Sequence, residues 1–238
     1  SGYHYSDSVL IGFSHTHLSG TGCADLGDIL VMPFTGKVRT ARGEQDNIEG
    51  ACSSYYRHEN ESVSPGYYSL LLDNGVHVEL TATERVAMHR YAFPQNEPAH
   101  LLINLKEGNG DRAYDTYLKK IDDYTVEGYR FSHGWSPQHK VFFTMKFDQP
   151  VASLEVFNDD EPAGTDELTG EKVKGVVSFK EGTKDVQAKV AISSVSCENA
   201  LKNMQAELSH WNFDQVHQEA VSKWNDQLAC VVVDTPDE

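Results

Sequence analysis

The sequence predicts an all-β chain: a large, supersandwich-like antiparallel β-sandwich followed by a helical linker. Three observations predict it. Apolar and polar residues alternate with period two through much of residues 1–195. Turn residues separate these runs, as in an antiparallel sheet. A spacing of three and four appears only in residues 196–238. The 238 residues suffice for one sandwich of this size.

The apolar run Val9-Leu10-Ile11-Gly12-Phe13 leads into His15-Thr16-His17-Leu18-Ser19-Gly20-Thr21-Gly22, and a second apolar run covers residues 29–32. On a strand His15 and His17 would point the same way, because side chains alternate with period two. The small residues after them let the backbone turn tightly and approach a ligand. Residues 67–72 and the alternation Val76, Val78, Leu80, Ala82 predict a hairpin through Asp73-Asn74-Gly75. Asn-Gly points to a type I′ turn, in which both central residues need φ > 0. Residues 86–93 continue as a third strand and stop at Pro94. Residues 101–105 are apolar except for Asn104, which predicts a strand covered on both faces. Val141, Phe143, Met145 and Phe147 alternate before Pro150, and Val186, Ala188, Val190 and Ile192 form a late strand. The polar stretches 107–115 and 158–171 predict surface loops, with Asp159, Asp160 and Glu161 as a solvated cluster. Ser196 can cap a helix beginning at Cys197, with Glu198 in its first turn. Asn212 can cap a second helix, where Phe213, Val216, Ala220, Trp224 and Leu228 form one apolar stripe.

Charge narrows the partners. Lys and Arg number 20 against 36 Asp and Glu, a net charge of −16, which argues against nucleic acid and against an anionic membrane surface. A neutral sugar remains compatible. No apolar run approaches the roughly 18–20 residues of a spanning helix. Cys23, Cys52, Cys197 and Cys230 form no CxxC, which leaves one or two disulfides or free buried thiols. The opening Ser1-Gly2-Tyr3-His4 reads as the middle of a domain that lacks its first segment.

The stretch from His15 to Gly22, extended through Asp25-Leu26-Gly27-Asp28-Ile29-Leu30-Val31-Met32-Pro33, resembles the N-terminal part of glycoside hydrolase family 92. The resemblance takes in Gly2-Tyr3-His4-Tyr5-Ser6-Asp7, Pro65-Gly66-Tyr67-Tyr68 and Leu80-Thr81-Ala82-Thr83-Glu84-Arg85. It continues in the same order with Gly128-Tyr129-Arg130, Gly134-Trp135, Val190-Ala191-Ile192-Ser193-Ser194-Val195 and Glu198-Asn199-Ala200. The family consists of calcium-dependent, inverting exo-α-mannosidases. The resemblance implies that residues 196–238 lead to an (α/α)6 catalytic barrel, the partner domain, which lies beyond this chain. It places the acid, the base and most calcium contacts on that barrel, so no catalytic residue and no metal ligand is assigned here. It implies a mannose-containing glycan as substrate, with this domain non-catalytic and forming part of the pocket wall. By the same resemblance the location is periplasmic or extracellular, in an exporting bacterium.

Within that frame His15, His17, Ser19, Gly20, Thr21 and Trp135 are the candidate substrate-binding residues. His15 and His17, with Asp25 and Asp28, also fit a transition-metal site or hydrogen-bonded structural histidines. Trp135, between Gly134 and Ser136 and preceded by Tyr129, Arg130 and His133, reads either as a stacking face for a pyranose, with Arg130 bonding its hydroxyls, or as a core residue. His58, Glu59 and Glu61 read as a solvated loop, and Glu84-Arg85 as an ion pair. There is no Gly-x-Ser-x-Gly elbow and no phosphate-binding glycine loop. The rival reading is a stand-alone carbohydrate-binding sandwich. That would show an exposed aromatic platform, whereas an interdomain partner would show an apolar patch around Trp211, Phe213 and Trp224.

Overall fold

The computed structural model describes residues 4–18, 24–44 and 47–231. Among the described residues sixteen strands and two α-helices follow in order: β1 (Val9–Leu10), β2 (Leu30–Thr35), β3 (Ser54–Tyr55), β4 (Glu61–Ser64), β5 (Tyr67–Leu71), β6 (His77–Ala82), β7 (Val86–Ala92), β8 (Ala99–Asn104), β9 (Arg112–Asp122), β10 (Thr125–His133), β11 (His139–Phe147), β12 (Val151–Asn158), β13 (Glu161–Pro162), β14 (Glu167–Gly170), β15 (Val173–Phe179), β16 (Asp185–Ser193), α1 (Cys197–Glu207) and α2 (Phe213–Leu228). A nine-stranded antiparallel sheet runs β14-β9-β10-β11-β16-β7-β6-β5-β4, and a five-stranded one runs β13-β12-β15-β8-β2. Their facing sides interleave Leu70, Val78, Tyr91, Leu101, Phe143 and Val177 into the main core.

A second core explains why strands of the large sheet are buried on both faces. Val86, Met88 and Ala191 on its outer side pack against Ala200 and Met204 of α1 and Phe213 and Val216 of α2. The caps form as the sequence predicts: Ser196 accepts from the Asn199 N–H and Asn212 from the Gln215 N–H. The α2 stripe divides, however. Phe213, Val216 and Ala220 are buried, whereas Trp224 and Leu228 run off the sheet, 51% and 59% exposed.

All of β8 is buried, as its apolar run predicts. The chain between β2 and β3 folds across its outer side. There the Gly36 carbonyl accepts from His100 Nε2 at 3.0 Å, and the Thr40 carbonyl from Lys174 Nζ.

Three local expectations change. The β5–β6 hairpin forms, but only Gly75 of its turn has positive φ, at 85°, and the Gly75 N–H bonds the Leu72 carbonyl. That is a three-residue loop closed by a left-handed glycine rather than type I′. The two polar stretches are not loops throughout. Residues from Arg112 onward begin β9, and Glu167–Gly170 is an edge strand whose Leu168 pairs with Leu118. Asp159 and Asp160 are not merely solvated: Asp160 lies 2.8 Å from the buried Lys174 ammonium, and Asp159 2.7 Å from Lys106. Such partners offset the cost of burying a lysine side chain.

Candidate functional site

Three connections converge at one end of the sandwich: the chain before β2, the β8–β9 loop and the β10–β11 turn. Arg130, on the inward face of β10, pins them together. Its guanidinium is fully buried and reaches Asp28 Oδ1 at 2.6 Å and both Asp111 oxygens, at 2.6 and 3.1 Å. Its Nε donates to the Leu105 carbonyl. Two carboxylates on one guanidinium compensate its burial. The other oxygen of Asp28 accepts from the Thr16 hydroxyl at 2.6 Å and faces His139 Nε2 at 3.0 Å. Burial pushes the Asp28 carboxyl up, but His139, Thr16 and Arg130 outweigh it and hold it below its ordinary range. Asp28 in turn raises His139 toward imidazolium.

The backbone before β2 is strained. Leu26 and Ile29 have φ of 65° and 55°, around Gly27 at 88°. A β-branched residue in the left-handed region persists only when its surroundings over-determine it. Here the Asn109 N–H donates to the Leu26 carbonyl, the Gly27 N–H to Thr16, and the His15 N–H to Asp28. The Ile29 carbonyl lies 2.6 Å from His15 Nδ1.

These bonds overturn the strand expectation for His15 and His17. Residues 14–18 cross the chain before β2 and form no strand. His15 turns inward, its ring stacked on His89 of β7 with centroids 5.0 Å apart. Its pKa is drawn down to about 4 by burial, against the pull of the Ile29 carbonyl. That supports the structural reading of this histidine. His17 is exposed and lines a cleft of about 380 Å³ together with Ser14, Thr16, Asp25, Arg42 and Asn109. Ser19, Gly20 and Thr21 lie outside the described residues.

Trp135 is not a core residue: it stands 72% exposed at the tip of the β10–β11 turn. That turn is docked on the same cluster, since the Ser136 N–H donates to Asp25 Oδ2 at 3.2 Å. Gly134 permits the approach; a Cβ there would sit 2.1 Å from Asp25 Oδ1. Arg130 cannot serve Trp135 as a sugar-bonding partner, because it is buried and committed to carboxylates.

Other expectations are corrected in the same way. Glu61 is half-buried and partnered rather than solvated, accepting from the Tyr68 hydroxyl and bonded to His58 Nδ1 at 2.8 Å. Arg85 pairs with Glu207 of α1, not with its neighbour Glu84, which faces Lys223. Of the two alternatives open for the cysteines, Cys52, Cys197 and Cys230 take the free thiol, and of these Cys52 is buried and Cys230 exposed.

The groups that sequence reasoning missed are Asp111, His139, His89 and Tyr91. Only His89 carried a signal: it occupies an inward position of an alternating strand, where a polar side chain needs partners.

Among the described residues no three His, Cys, Asp or Glu side chains are grouped to hold a metal. The nearest candidate, Asp28 with Asp111, has its oxygens committed to Arg130, Thr16 and His139. Calcium needs six to eight free oxygens, so this cluster does not fit it.

The Glycosyl hydrolase family 92 N-terminal domain matches residues 1–193, and the Glycosyl hydrolase family 92 catalytic domain matches residues 199–238. A family GH92 α-mannosidase of Bacteroides thetaiotaomicron is similar over 99% of the chain, with 32% identity and a TM-score of 0.94. The chain covers 33% of that protein. The same enzyme in complex with mannoimidazole is similar over 96% of the chain and 31% of its own, with 33% identity and a TM-score of 0.91. An uncharacterized secreted glycosidase of Arthroderma benhamiae is 24% identical over 97% of the chain and 33% of its own length. The chain thus spans about a third of these relatives.

Proposed function

The chain belongs to glycosyl hydrolase family 92, and we propose that it is the non-catalytic N-terminal part of an exported, inverting exo-α-mannosidase. In this reading it supports the catalytic barrel and supplies part of the pocket wall for a terminal mannose. One observation carries it: a large aromatic side chain, Trp135, is displayed to solvent on a turn locked to the Arg130 cluster, at the end where His17 lines a cleft. An exposed indole on an anchored turn can stack on the apolar face of a pyranose and exclude water from it.

No carboxylate of this cluster is given an acid or base role. An inverting pair needs about 6.5–9.5 Å between carboxyls with room for water. Asp28 and Asp111 are instead sealed on one guanidinium. Acid, base and calcium are assigned to the catalytic domain, where calcium would hold sugar hydroxyls. Trp224 and Leu228, exposed beyond the sheet, are assigned to contact with that domain. Export is supported by the secreted relative, and among the described residues no helix is long and apolar enough to cross a membrane.

The test is kinetic, in the complete enzyme. Trp135→Ala and His17→Ala are each expected to lower kcat/KM for α-mannobiosides about 2- to 13-fold, the scale of one lost stacking or hydrogen-bonding contact. Unchanged kinetics in both would leave the domain a scaffold only.

A further inference from the structure

The proposed function makes no use of the buried imidazole of His89. His89 and Tyr91 lie on the inward face of β7, 2% and 0% exposed. His89 Nδ1 is 2.5 Å from the Tyr91 hydroxyl, and its Nε2 is 3.2 Å from His15 Nε2. His15 Nδ1 faces the Ile29 carbonyl, which only accepts, so that nitrogen carries a hydrogen. With both rings neutral, one arrangement uses every group. Tyr91 donates to His89 Nδ1, His89 Nε2–H donates to His15 Nε2, and His15 Nδ1–H donates to Ile29.

A further proton has no good place. On His15 it would reverse the chain, so that His89 donates to Tyr91 and the hydroxyl loses its acceptor. A second would set two N–H groups against each other across 3.2 Å. Among the described residues no carboxylate compensates the charge. Glu84 and Arg85, beside His15 in a cavity at the β6–β7 turn, face Lys223 and Glu207. Asp28 is held by Arg130, Thr16 and His139.

We propose that His89 and Tyr91 are positioning residues: through His15 they latch residues 13–16 onto residues 27–31, closed while both imidazoles are neutral and opened when the pair takes up a proton. Opening frees the Ile29 carbonyl and with it the left-handed backbone at that residue. The Asp28–His139 contact favours the protonated imidazole, so it persists in acid and confines the opening to the His15 side. The consequence for sugar binding rests on the pocket reading above; the latch itself does not.

The direction follows from linkage. Released imidazoles take protons near 6.5, whereas His15 in the latch does so near about 4, with His89 also well below its ordinary value. Latch stability therefore falls as pH drops through that window, by about tenfold per unit for one proton and roughly 300-fold across it.

The test uses the full 238-residue chain. Ring 15N shifts of His15 and His89 are followed from pH 7 to 4, together with amide exchange of Phe13, His15 and Gly27, corrected for intrinsic rates. The expected result is neutral rings at pH 6 and a selective loss of protection at these amides in acid, while β8 and β15 stay protected. In His15→Gln/His89→Gln, protection at pH 7 is weaker and its acid dependence disappears. Rings titrating near 6.5, loop and core amides lost together, or the same acid dependence in the double variant would overturn the latch. The ring titration of the unsubstituted chain decides the matter even where the variant does not fold.

Discussion

Arg130→Met is the sharpest perturbation of the loop cluster. The guanidinium and both partner carboxylates have no exposed side-chain surface, and the shortest contacts to Asp28 and Asp111 are both 2.6 Å. A methionine fills most of the volume but leaves two buried carboxylates without their counter-charge. Removing one partner of a buried ion pair costs about 3–5 kcal/mol. For a chain of this size that lowers Tm by about 6–20 °C. The effect depends on pH with a definite sign. Asp28 is held below its ordinary value in the native state, so it contributes stability above its unfolded pKa that is lost as pH falls through the folded one. Arg130→Met removes much of that depression, so wild type and variant should converge as pH drops from 7 toward 3. Urea unfolding followed by circular dichroism at several pH values measures both quantities. A loss under about 1 kcal/mol at pH 7, or a gap that widens in acid, would refute the reasoning.

Further consequences follow from packing and charge. Gly134→Ala places a Cβ against Asp25 and should cost about 1–3 kcal/mol in thermal melts while disturbing the Trp135 turn. Phe213→Ala, at a side chain 3% exposed, should destabilise the chain by about 3–5 kcal/mol. Trp224→Ala should stay within about 0.5 kcal/mol in the isolated chain and destabilise only the complete enzyme. His58 donates to the Glu61 carboxylate and to the Tyr5 carbonyl, both acceptors, which raises its pKa. This clamp is fully present below the unfolded pKa and lost as pH rises through the folded one. An NMR ring titration should give a midpoint above 6.5 that Glu61→Gln lowers; an unshifted midpoint contradicts it.

The period-two runs made the sandwich legible, and Ser196 and Asn212 marked both helix starts, because those signals are local. The edge strand β14 was hidden because its register partner β9 lies about fifty residues away and only Leu168 on it is apolar. The same distance hid the site. Asp28, Asp111, Arg130 and His139 share no local pattern; only the fold brings them together. His15 and His17 were visible as a pair, but their opposite orientations depend on backbone bonds across to residues 27 and 28. Trp135 was readable as core or platform from sequence, and its exposure rules out the core reading.

Mannose release tests the assignment of catalysis most directly. α-Mannobiosides are incubated with this chain and with the complete enzyme, each with calcium and with chelator. Turnover by the complete enzyme alone, and only with calcium, is the predicted result. Turnover by the 238-residue chain would contradict the assignment of catalysis to the other domain.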